Sequence, residues 1–264
     1  NHSKKGRYFH TKSTCLDYHW IPAKFWTPST YTLVHFFDYD GNLPQNLTQN
    51  DSYNLLCIVD RSGLHSRGSW FFGNQGTPTT LNFVMDFITQ FCQAGLIGPG
   101  NIIFSGEGMG GHMALFCQQK FESAISVVHN PTTNLVQSEC VEITNSSLFG
   151  DIFSKSKPHD FQGLVKLIKR NKSSRCQIFL TSDHDAKSTF YIEHLIPLLA
   201  LDNVSDLGKN QLLFDAIFRL MEENLPSVTR TFDIIRKIPP IPNSTFLIIF
   251  ILTSKKFISC KIPS

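Results

Sequence analysis

The sequence predicts a doubly wound α/β protein with a mostly parallel sheet. Short apolar runs alternate with helical patterns, and a polar loop follows each apolar run. One apolar run leads through a glycine turn directly into a helix. In sheets of this kind ligands bind in the crevice at the carboxyl ends of the strands, so the polar loops are where a site is expected.

Composition limits the class of protein. The chain has 264 residues, of which 41% are hydrophobic and 17% charged, as in globular rather than disordered proteins. A formal net charge of +3 is too small to predict a nucleic-acid-binding surface. The seven cysteines form no Cys-x-x-Cys pair, which predicts reduced thiols in a cytoplasmic protein. The longest apolar run, Phe246–Leu252, is far shorter than the roughly 20 residues of a spanning helix, so no transmembrane segment is expected.

Residue types along the chain predict the elements in order. Residues 1–30 are expected to form an irregular lead-in, residues 31–201 the α/β core, and residues 202–264 a C-terminal helix and an atypical tail. β-branched and aromatic residues or continuous apolar runs predict strands at Tyr31–Phe37, Leu55–Val59, Ile102–Phe104, Ala124–Val128 and Cys176–Thr181. Helical spacing of apolar residues predicts helices at Thr79–Cys92, from Gly110, at Phe161–Lys169, at Thr189–Leu201 and at Leu212–Met221.

The glycine turn after the third predicted strand resembles a nucleophile elbow, G-x-S-x-G. Its residues are Gly106, Glu107, Gly108, Met109 and Gly110, so glycine stands at the serine position. An elbow needs small neighbours and a backbone with φ > 0, and the glycines stand where the turn needs them. Because glycine has no hydroxyl to attack a carbonyl, the turn predicts a fold better than an activity. The alternative is a plain glycine-rich junction, which can hold an anion at the helix N-terminus.

A catalytic triad of this type needs an acid after a late strand and then a histidine base. Asp183 and Asp185 are in the right place for the acid. The last histidine is His194, inside the helix that follows the acid loop, so the expected base is absent from this sequence. His184 and His112 are the candidates for a displaced base. The polar run around His184 alternates its side chains and does not predict a metal site, and no cofactor is expected.

Three further polar loops supply candidate binding residues. Asp38 follows the first predicted strand, where a loop N–H can complete an oxyanion hole, although a plain turn is the alternative. Arg67, Ser69 and Trp70 lie in a polar loop that is either a binding loop or a surface loop held by one aromatic side chain. Asn130 follows the fourth predicted strand.

Four blocks in order make the chain resemble the α/β-hydrolase-like proteins of bacterial capsular polysaccharide biosynthesis. More distantly, it is similar to the accessory Sec family that includes a surface-glycan acetyltransferase. The blocks are 55–60, 67–73, 102–114 and 130–135, and the resemblance covers roughly residues 31–200. It implies an α/β-hydrolase fold of three layers and a role in making or modifying surface polysaccharide.

The resemblance also implies roles for particular residues. Relatives place a serine at the position of Gly108 and an oxyanion-hole N–H at that of Met109. They place the acid near Asp183 or Asp185. This chain departs from that pattern at Gly108 and at the late histidine.

The preferred function is therefore a capsule-type α/β-hydrolase-fold protein with a degenerate serine site. Such a protein would bind a polysaccharide, a sugar precursor or another capsule-biosynthesis protein in the strand-end crevice, with Glu107 among the candidate binding residues. The first alternative is an active acyltransferase or esterase with a relocated nucleophile: Ser69, Ser105 or Ser182, within reach of His112 or His184.

The second alternative is a nucleotide-sugar-binding transferase. Gly106, Gly108 and Gly111 fit the dinucleotide spacing G-x-G-x-x-G. No acidic residue closes the following strand about 20 residues further on, as that motif requires.

Overall fold

One sheet of eight strands organises the fold in the computed structural model, with the order β1-β2-β4-β3-β5-β6-β7-β8. β1 pairs with β2, and β2 with β4, in antiparallel fashion, and all other neighbours are parallel. The strands are β1 Lys4–Phe9, β2 Cys15–Ile21, β3 Thr32–Phe37, β4 Asn54–Asp60, β5 Ile102–Glu107, β6 Ile125–His129, β7 Ile178–Ser182 and β8 Val204–Lys209. The structure describes residues 3–9, 15–24, 27, 30–37, 52–61, 71, 79–121, 125–133, 164–170, 177–182, 184–185, 187–209, 213 and 217.

This topology confirms the predicted fold class, a mostly parallel sheet covered by helices in a three-layer α/β sandwich. The chain passes from β3 to β4 on one side of β3 and returns to β5 on the other side. Such a reversal of strand order opens a crevice at the carboxyl ends of the strands. The glycine turn after β5 therefore lies at the position where this fold class binds ligands.

The helices occur where the apolar spacing predicted them. They are α1 Thr79–Gln93, α2 Gly108–Gln118, α3 Leu164–Arg170 and a π-helix, Tyr191–Leu195, that runs into α4 Ile196–Leu199. The chain divides into two compact units, residues 1–220 and 221–264, and every element named here belongs to the first. Of the predicted helix Leu212–Met221 only residues 213 and 217 are described, and the apolar run Phe246–Leu252 lies outside the described residues. No helix in the described part of the chain has the length and hydropathy to cross a membrane.

The prediction of an irregular segment over residues 1–30 is wrong for β1 and β2. Lys4 to Phe9 pair residue by residue with Trp20 to Cys15, and β2 continues the sheet onto β4. Leu16, Tyr18 and Trp20 alternate with polar residues, which is the period of a half-buried strand. That alternation was the available signal, and the surrounding charged residues obscured it. The predicted core ends at residue 201, but β8 adds one more strand to the sheet after that residue.

Aromatic side chains join β1 and β2 to α1. The ring of Tyr8 stacks on Phe83 with centroids 4.7 Å apart, and Tyr18 lies 5.1 Å from Phe87. Trp20 meets Phe91 edge-on at 5.3 Å. Aromatic pairs of this geometry add about 0.5–1.5 kcal/mol each beyond the area they bury. These three contacts hold α1 against the antiparallel part of the sheet.

Asn54 makes a testable contribution to the stability of this edge. Its side chain is fully buried, accepts the Ala23 N–H at 2.9 Å and donates to Thr32 Oγ1 at 3.2 Å. We expect Asn54→Ala to lower the free energy of unfolding by about 1–3 kcal/mol, because a buried backbone N–H loses its acceptor. Thr32→Val removes only the weaker bond and should cost less in the same urea titration. Equal losses in the two variants would contradict this assignment.

Candidate functional site

The centre of the site is the junction of β5 and α2. β5 does not stop at Phe104 as predicted but continues through Ser105 and Gly106 to Glu107, and α2 begins at Gly108 rather than Gly110. Gly108 has φ +50°, the left-handed conformation that an elbow residue requires. The helix starts earlier than predicted because this one residue makes the whole turn. The structure thus contains the backbone geometry of an elbow without a hydroxyl at its apex.

The flanking glycines are required by close backbone contacts. A Cβ at Gly106 would lie 2.3 Å from the Gly110 carbonyl carbon, and one at Gly110 would lie 2.1 Å from the Phe36 carbonyl oxygen. α2 therefore crosses β5 and β3 at a distance that only glycine permits. A Cβ at Gly111 would lie 3.1 Å from Pro131 Cβ, which places the loop after β6 directly against α2.

The loop after β6 completes the wall beside the elbow. The Thr132 N–H donates to the Gly108 carbonyl at 3.4 Å, and Asn130 takes φ +42°, an uncommon value for a residue other than glycine. Two of the four sequence blocks on which the family resemblance depends, the elbow and the loop after β6, therefore meet in space. Met109 is buried, and its N–H lies in the first turn of α2, where backbone donors have no partner within the helix. That position suits the predicted oxyanion-hole role of Met109, which remains a prediction.

Glu107 and His129 lie side by side at the carboxyl ends of the central strands β5 and β6. They are the last residues of β5 and β6 and are register partners. Glu107 Oε1 is 4.0 Å from His129 Nε2, and the Glu107 side chain is 62% exposed whereas that of His129 is 14% exposed. Sequence reasoning selected Glu107 but missed His129, because the triad pattern directs attention to a histidine after the last strand. The available signal was a polar residue at the end of a parallel strand.

A chain of hydrogen bonds fixes the orientation of the His129 ring. Thr181 Oγ1 donates to the Val128 carbonyl at 3.4 Å and accepts the His129 Nδ1–H at 2.9 Å. His129 Nε2 therefore carries a lone pair, which accepts the Asn130 side-chain N–H at 2.9 Å. A donor and an acceptor can therefore be assigned to each of these three hydrogen bonds without conflict.

The chain of hydrogen bonds continues to β7. Asn130 Oδ1 accepts from Ser182 Oγ at 2.8 Å, and Ser182 Oγ in turn accepts the His184 N–H at 3.1 Å. The ends of β6 and β7 are thereby linked to the start of the acid loop. Because the hydroxyl proton of Ser182 is directed to Asn130, Ser182 does not have the arrangement of an activated nucleophile.

The two histidines closest to the loop after β6 are buried. His112 is 3% exposed and its Nδ1–H donates to the Thr132 carbonyl at 2.6 Å, while His194 is 1% exposed and its Nδ1 accepts the Thr133 N–H at 3.2 Å. The pKa of each ring is lowered to about 4, chiefly by burial, and in His194 the nearby His112 and His184 contribute to that lowering. His112 was a candidate for a displaced base, but here it holds the loop as a neutral, enclosed ring. His184 stacks on Phe190 with centroids 4.3 Å apart.

The remaining sequence candidates fall into two groups. Asp185 is exposed, and its carbonyl accepts the Ser188 hydroxyl at 2.8 Å, so it is described but not joined to the elbow by these bonds. Asp38, Arg67, Ser69, Trp70 and Asp183 lie outside the described residues, and their roles stay predictions. Over the described ranges no group of three potential metal ligands comes together.

Ser105 forms a serine–histidine pair that is structural. Its hydroxyl lies 2.8 Å from His35 Nδ1, and both side chains are buried in the middle of β5 and β3. Burial lowers the pKa of His35 to about 3. A substrate has no access to a hydroxyl with no exposed surface, so the pair stabilises the sheet and does not supply a relocated nucleophile.

Comparisons with known proteins place the fold. No protein-family model matches the sequence, and the curated proteins give no significant match. Among solved structures, the capsule O-acetyltransferase of Neisseria meningitidis serogroup A aligns over 85% of this chain and 92% of its own, with a TM-score of 0.57 and 15% identity. A histidine-to-alanine variant of that enzyme in complex with CoA aligns over 82% and 93%, with a TM-score of 0.59 and 15% identity.

Two other solved structures extend the comparison. The glycosylation-associated Gap123 complex of Streptococcus agalactiae aligns over 87% of this chain and 46% of its own, with a TM-score of 0.55 and 14% identity. Esterase 2 of Thermogutta terrifontis aligns over 84% and 93%, with a TM-score of 0.54 and 14% identity. These likenesses show an α/β-hydrolase fold and confirm the resemblance to capsule-type proteins at the level of fold.

Proposed function

We propose that this chain is an α/β-hydrolase-fold protein of bacterial capsule or surface polysaccharide biosynthesis with a degenerate serine site. It binds a polysaccharide, a sugar precursor or another biosynthesis protein in the crevice at the strand ends. The observation that carries the proposal is Gly108, which keeps the elbow conformation with φ +50° but has no hydroxyl. Covalent acyl transfer through a serine ester is therefore impossible at that position.

The surroundings of the elbow support a binding role. His112 and His194 are enclosed and neutral, so neither is available as a base at the surface. The structural neighbours include a capsule O-acetyltransferase and a glycosylation-associated complex, which supports a glycan ligand or a protein partner of the same process. The proposed biological context rests on fold likeness alone, whereas the proposed loss of serine chemistry rests on the glycine at the elbow.

The two alternatives find less support among the described residues. Ser105 is enclosed with His35, and Ser182 donates to Asn130, so neither matches a relocated nucleophile. A nucleotide sugar would bring phosphates to the start of α2, where Glu107 places a carboxylate. Like charges at such short range oppose binding.

A paired activity assay tests the proposal. The chain as it stands and Gly108→Ser are each given a generic acyl ester, with Gly95→Ser as the matched control because Gly95 also has positive φ and open space around it. We expect turnover at the rate of buffer from the unaltered chain and the control. Turnover only in Gly108→Ser would show an elbow intact except for its nucleophile. Turnover in the unaltered chain would contradict the proposal.

We also place the protein in the cytoplasm. The described cysteines Cys15, Cys57, Cys92 and Cys117 carry free thiols, which are typical of reducing compartments. Cell fractionation with an antibody to the chain tests this location. Recovery from an exported fraction would contradict it.

A further inference from the structure

A buried carboxylate at the carboxyl end of β4 holds a strained residue of the following loop. Asp60 is the last residue of β4 and is 2% exposed. Its Oδ2 accepts the Phe71 N–H at 2.9 Å. Phe71 is fully buried and has φ +61°, a left-handed conformation that a bulky residue rarely adopts. Because this conformation is unfavourable for a residue with a Cβ, it persists only where the surroundings hold it.

The ring of Phe71 connects this restraint to the elbow. It meets Phe36 edge-on with centroids 5.5 Å apart, close to the carboxyl end of β3. The carbonyl oxygen of Phe36 is the atom that a Cβ at Gly110 would meet at 2.1 Å, in the first turn of α2. Phe36 therefore contacts Phe71 through its side chain and α2 through its backbone. Phe71 lies at the ends of β3 and β4, one residue away from the helix that begins at the elbow.

Positive φ angles in the described part of the chain gather at these strand ends. Apart from Gly95, they occur at Phe71, at Asn130 in the loop after β6 and at Gly108 in the elbow. Residues held in unfavourable backbone conformations cluster at ligand-binding and active sites. The strain at Phe71 therefore favours a functional role for the segment that contains it.

Covalent geometry ties Phe71 to the polar loop whose binding role the sequence predicts. Trp70 directly precedes Phe71, Ser69 is two residues before it and Arg67 four. Because an extended chain spans at most about 3.6 Å per residue, the Cα of Arg67 lies within about 14 Å of the Cα of Phe71. An anchor at Phe71 therefore keeps all three predicted binding residues within reach of the crevice.

We propose that Asp60 is a positioning residue of the crevice, whose carboxylate holds the Phe71 backbone and thereby fixes residues 67–70 beside the elbow for glycan binding. This inference rests on the proposed function and deepens it, because it adds a second wall to the binding site. Asp60 is too buried to contact a ligand and acts through the Phe71 N–H. The position requires an acceptor oxygen at hydrogen-bond distance from that N–H.

Amide hydrogen exchange followed by mass spectrometry tests the anchor. In Asp60→Ala the Phe71 N–H should exchange at least about tenfold faster than in the unaltered chain, because a buried bond to a charged acceptor is lost. The rate is measured relative to the amides of β5, so that a general loss of stability does not count. Asp60→Asn keeps an acceptor oxygen and should retain most of the protection. Equal relative exchange in Asp60→Ala and the unaltered chain would overturn the anchor.

Asn54→Ala is the matched control for these variants. Asn54 is also a buried residue of β4 that accepts a backbone N–H, that of Ala23, at the opposite end of the strand from Asp60. Its loss should destabilise the sheet but leave the relative exchange of Phe71 unchanged. A faster relative exchange of Phe71 in this control would show that any weakening of β4 releases the loop, and the specific role of Asp60 would fail.

A double-mutant cycle tests the link to binding. A glycan array identifies the oligosaccharide that the unaltered chain binds best, and calorimetry measures its affinity for the unaltered chain, Asp60→Ala, Trp70→Ala and the double variant. We expect each single change to weaken binding by at least about tenfold. The double variant should lose clearly less than the product of the two single losses, because Asp60 acts through the segment that carries Trp70. Asp60→Asn should restore most of the affinity, and Asn54→Ala should bind like the unaltered chain.

The outcomes separate the positioning role from the proposed function. Single losses that multiply in the double variant, or full affinity in Asp60→Ala, would overturn the positioning role alone. If the unaltered chain bound no glycan on the array, the proposed function would fail, and with it the binding role of the segment. The exchange experiment would still decide whether Asp60 holds Phe71.

Discussion

Gly110→Ala is expected to leave the chain without a stable fold. The added methyl group would lie 2.1 Å from the Phe36 carbonyl oxygen, an atom of the backbone of β3. β3 is hydrogen-bonded to β4 on one side and β5 on the other, so it cannot move aside without disrupting the centre of the sheet. We expect the loss to exceed the roughly 1–3 kcal/mol of ordinary overpacking and to take most of a typical stability of about 5–15 kcal/mol. Soluble yield and the urea midpoint measure it.

Gly95→Ala is the matched control for that change. Gly95 has positive φ, +70°, unlike Gly110, and a Cβ there meets nothing within 4 Å. Its cost should be limited to the backbone preference, about 1–2 kcal/mol. Gly106→Ala, whose Cβ would lie 2.3 Å from the Gly110 carbonyl carbon, should behave like Gly110→Ala. Similar midpoints for the variants at 95 and 110 would show that α2 is not held against β3 as the structure has it.

Acid is expected to unfold this protein well before its carboxylates are all protonated. The pKa values of His112 and His194 are near 4 in the folded chain, against an ordinary value of 6.5, and that of His35 is near 3. Between pH 6.5 and pH 4 the unfolded chain therefore binds more protons than the folded chain, and the free energy of unfolding rises with pH. The stabilisation is complete above pH 6.5 and is lost as the pH falls towards 4, by about 1–3 kcal/mol for each ring. Urea titrations at about pH 7.5 and about pH 4.5 measure the difference.

His112→Asn identifies the contribution of one ring to this acid sensitivity. The asparagine amide can still donate to the Thr132 carbonyl, as His112 Nδ1 does at 2.6 Å, but it does not titrate. We expect a smaller change in stability between the two pH values than in the unaltered chain. His19→Asn is the control, since His19 is only partly buried and its pKa is lowered less by its surroundings. An unchanged pH dependence in His112→Asn would show that this ring does not stay neutral on folding.

Local patterns were sufficient to predict most of the elements. Continuous apolar runs marked β3 to β7, and the spacing of Phe83, Phe87 and Ile88 marked α1, because burial on both faces or on one helical face leaves a regular trace in the sequence. β1 and β2 were missed because they lie at the edge, where Tyr18 and Trp20 are covered by one helix and the alternating residues stay polar. An edge strand needs fewer apolar residues, so its trace is weaker.

The candidate site was predictable only in part. The glycines at 106, 108 and 110 predicted the turn, because positive φ and the absence of a Cβ are properties of the single residue at each position. The pairing of Glu107 with His129 was not predictable in the same way. It depends on the register between β5 and β6, which are joined by a helix and a loop. Nor does the sequence state that His112 and His194 would both be enclosed against the loop after β6.

The sequence by itself determined that Gly108 can form an elbow but cannot be a nucleophile, because a residue's chemistry and its allowed φ are properties of that residue. Only the tertiary structure decided which polar groups surround it. Packing against β3 brought α2 close enough to require Gly110, and the sheet register set Glu107 beside His129. Contacts between distant residues follow from how buried surfaces fit together across the whole sheet, which no single stretch of the chain encodes.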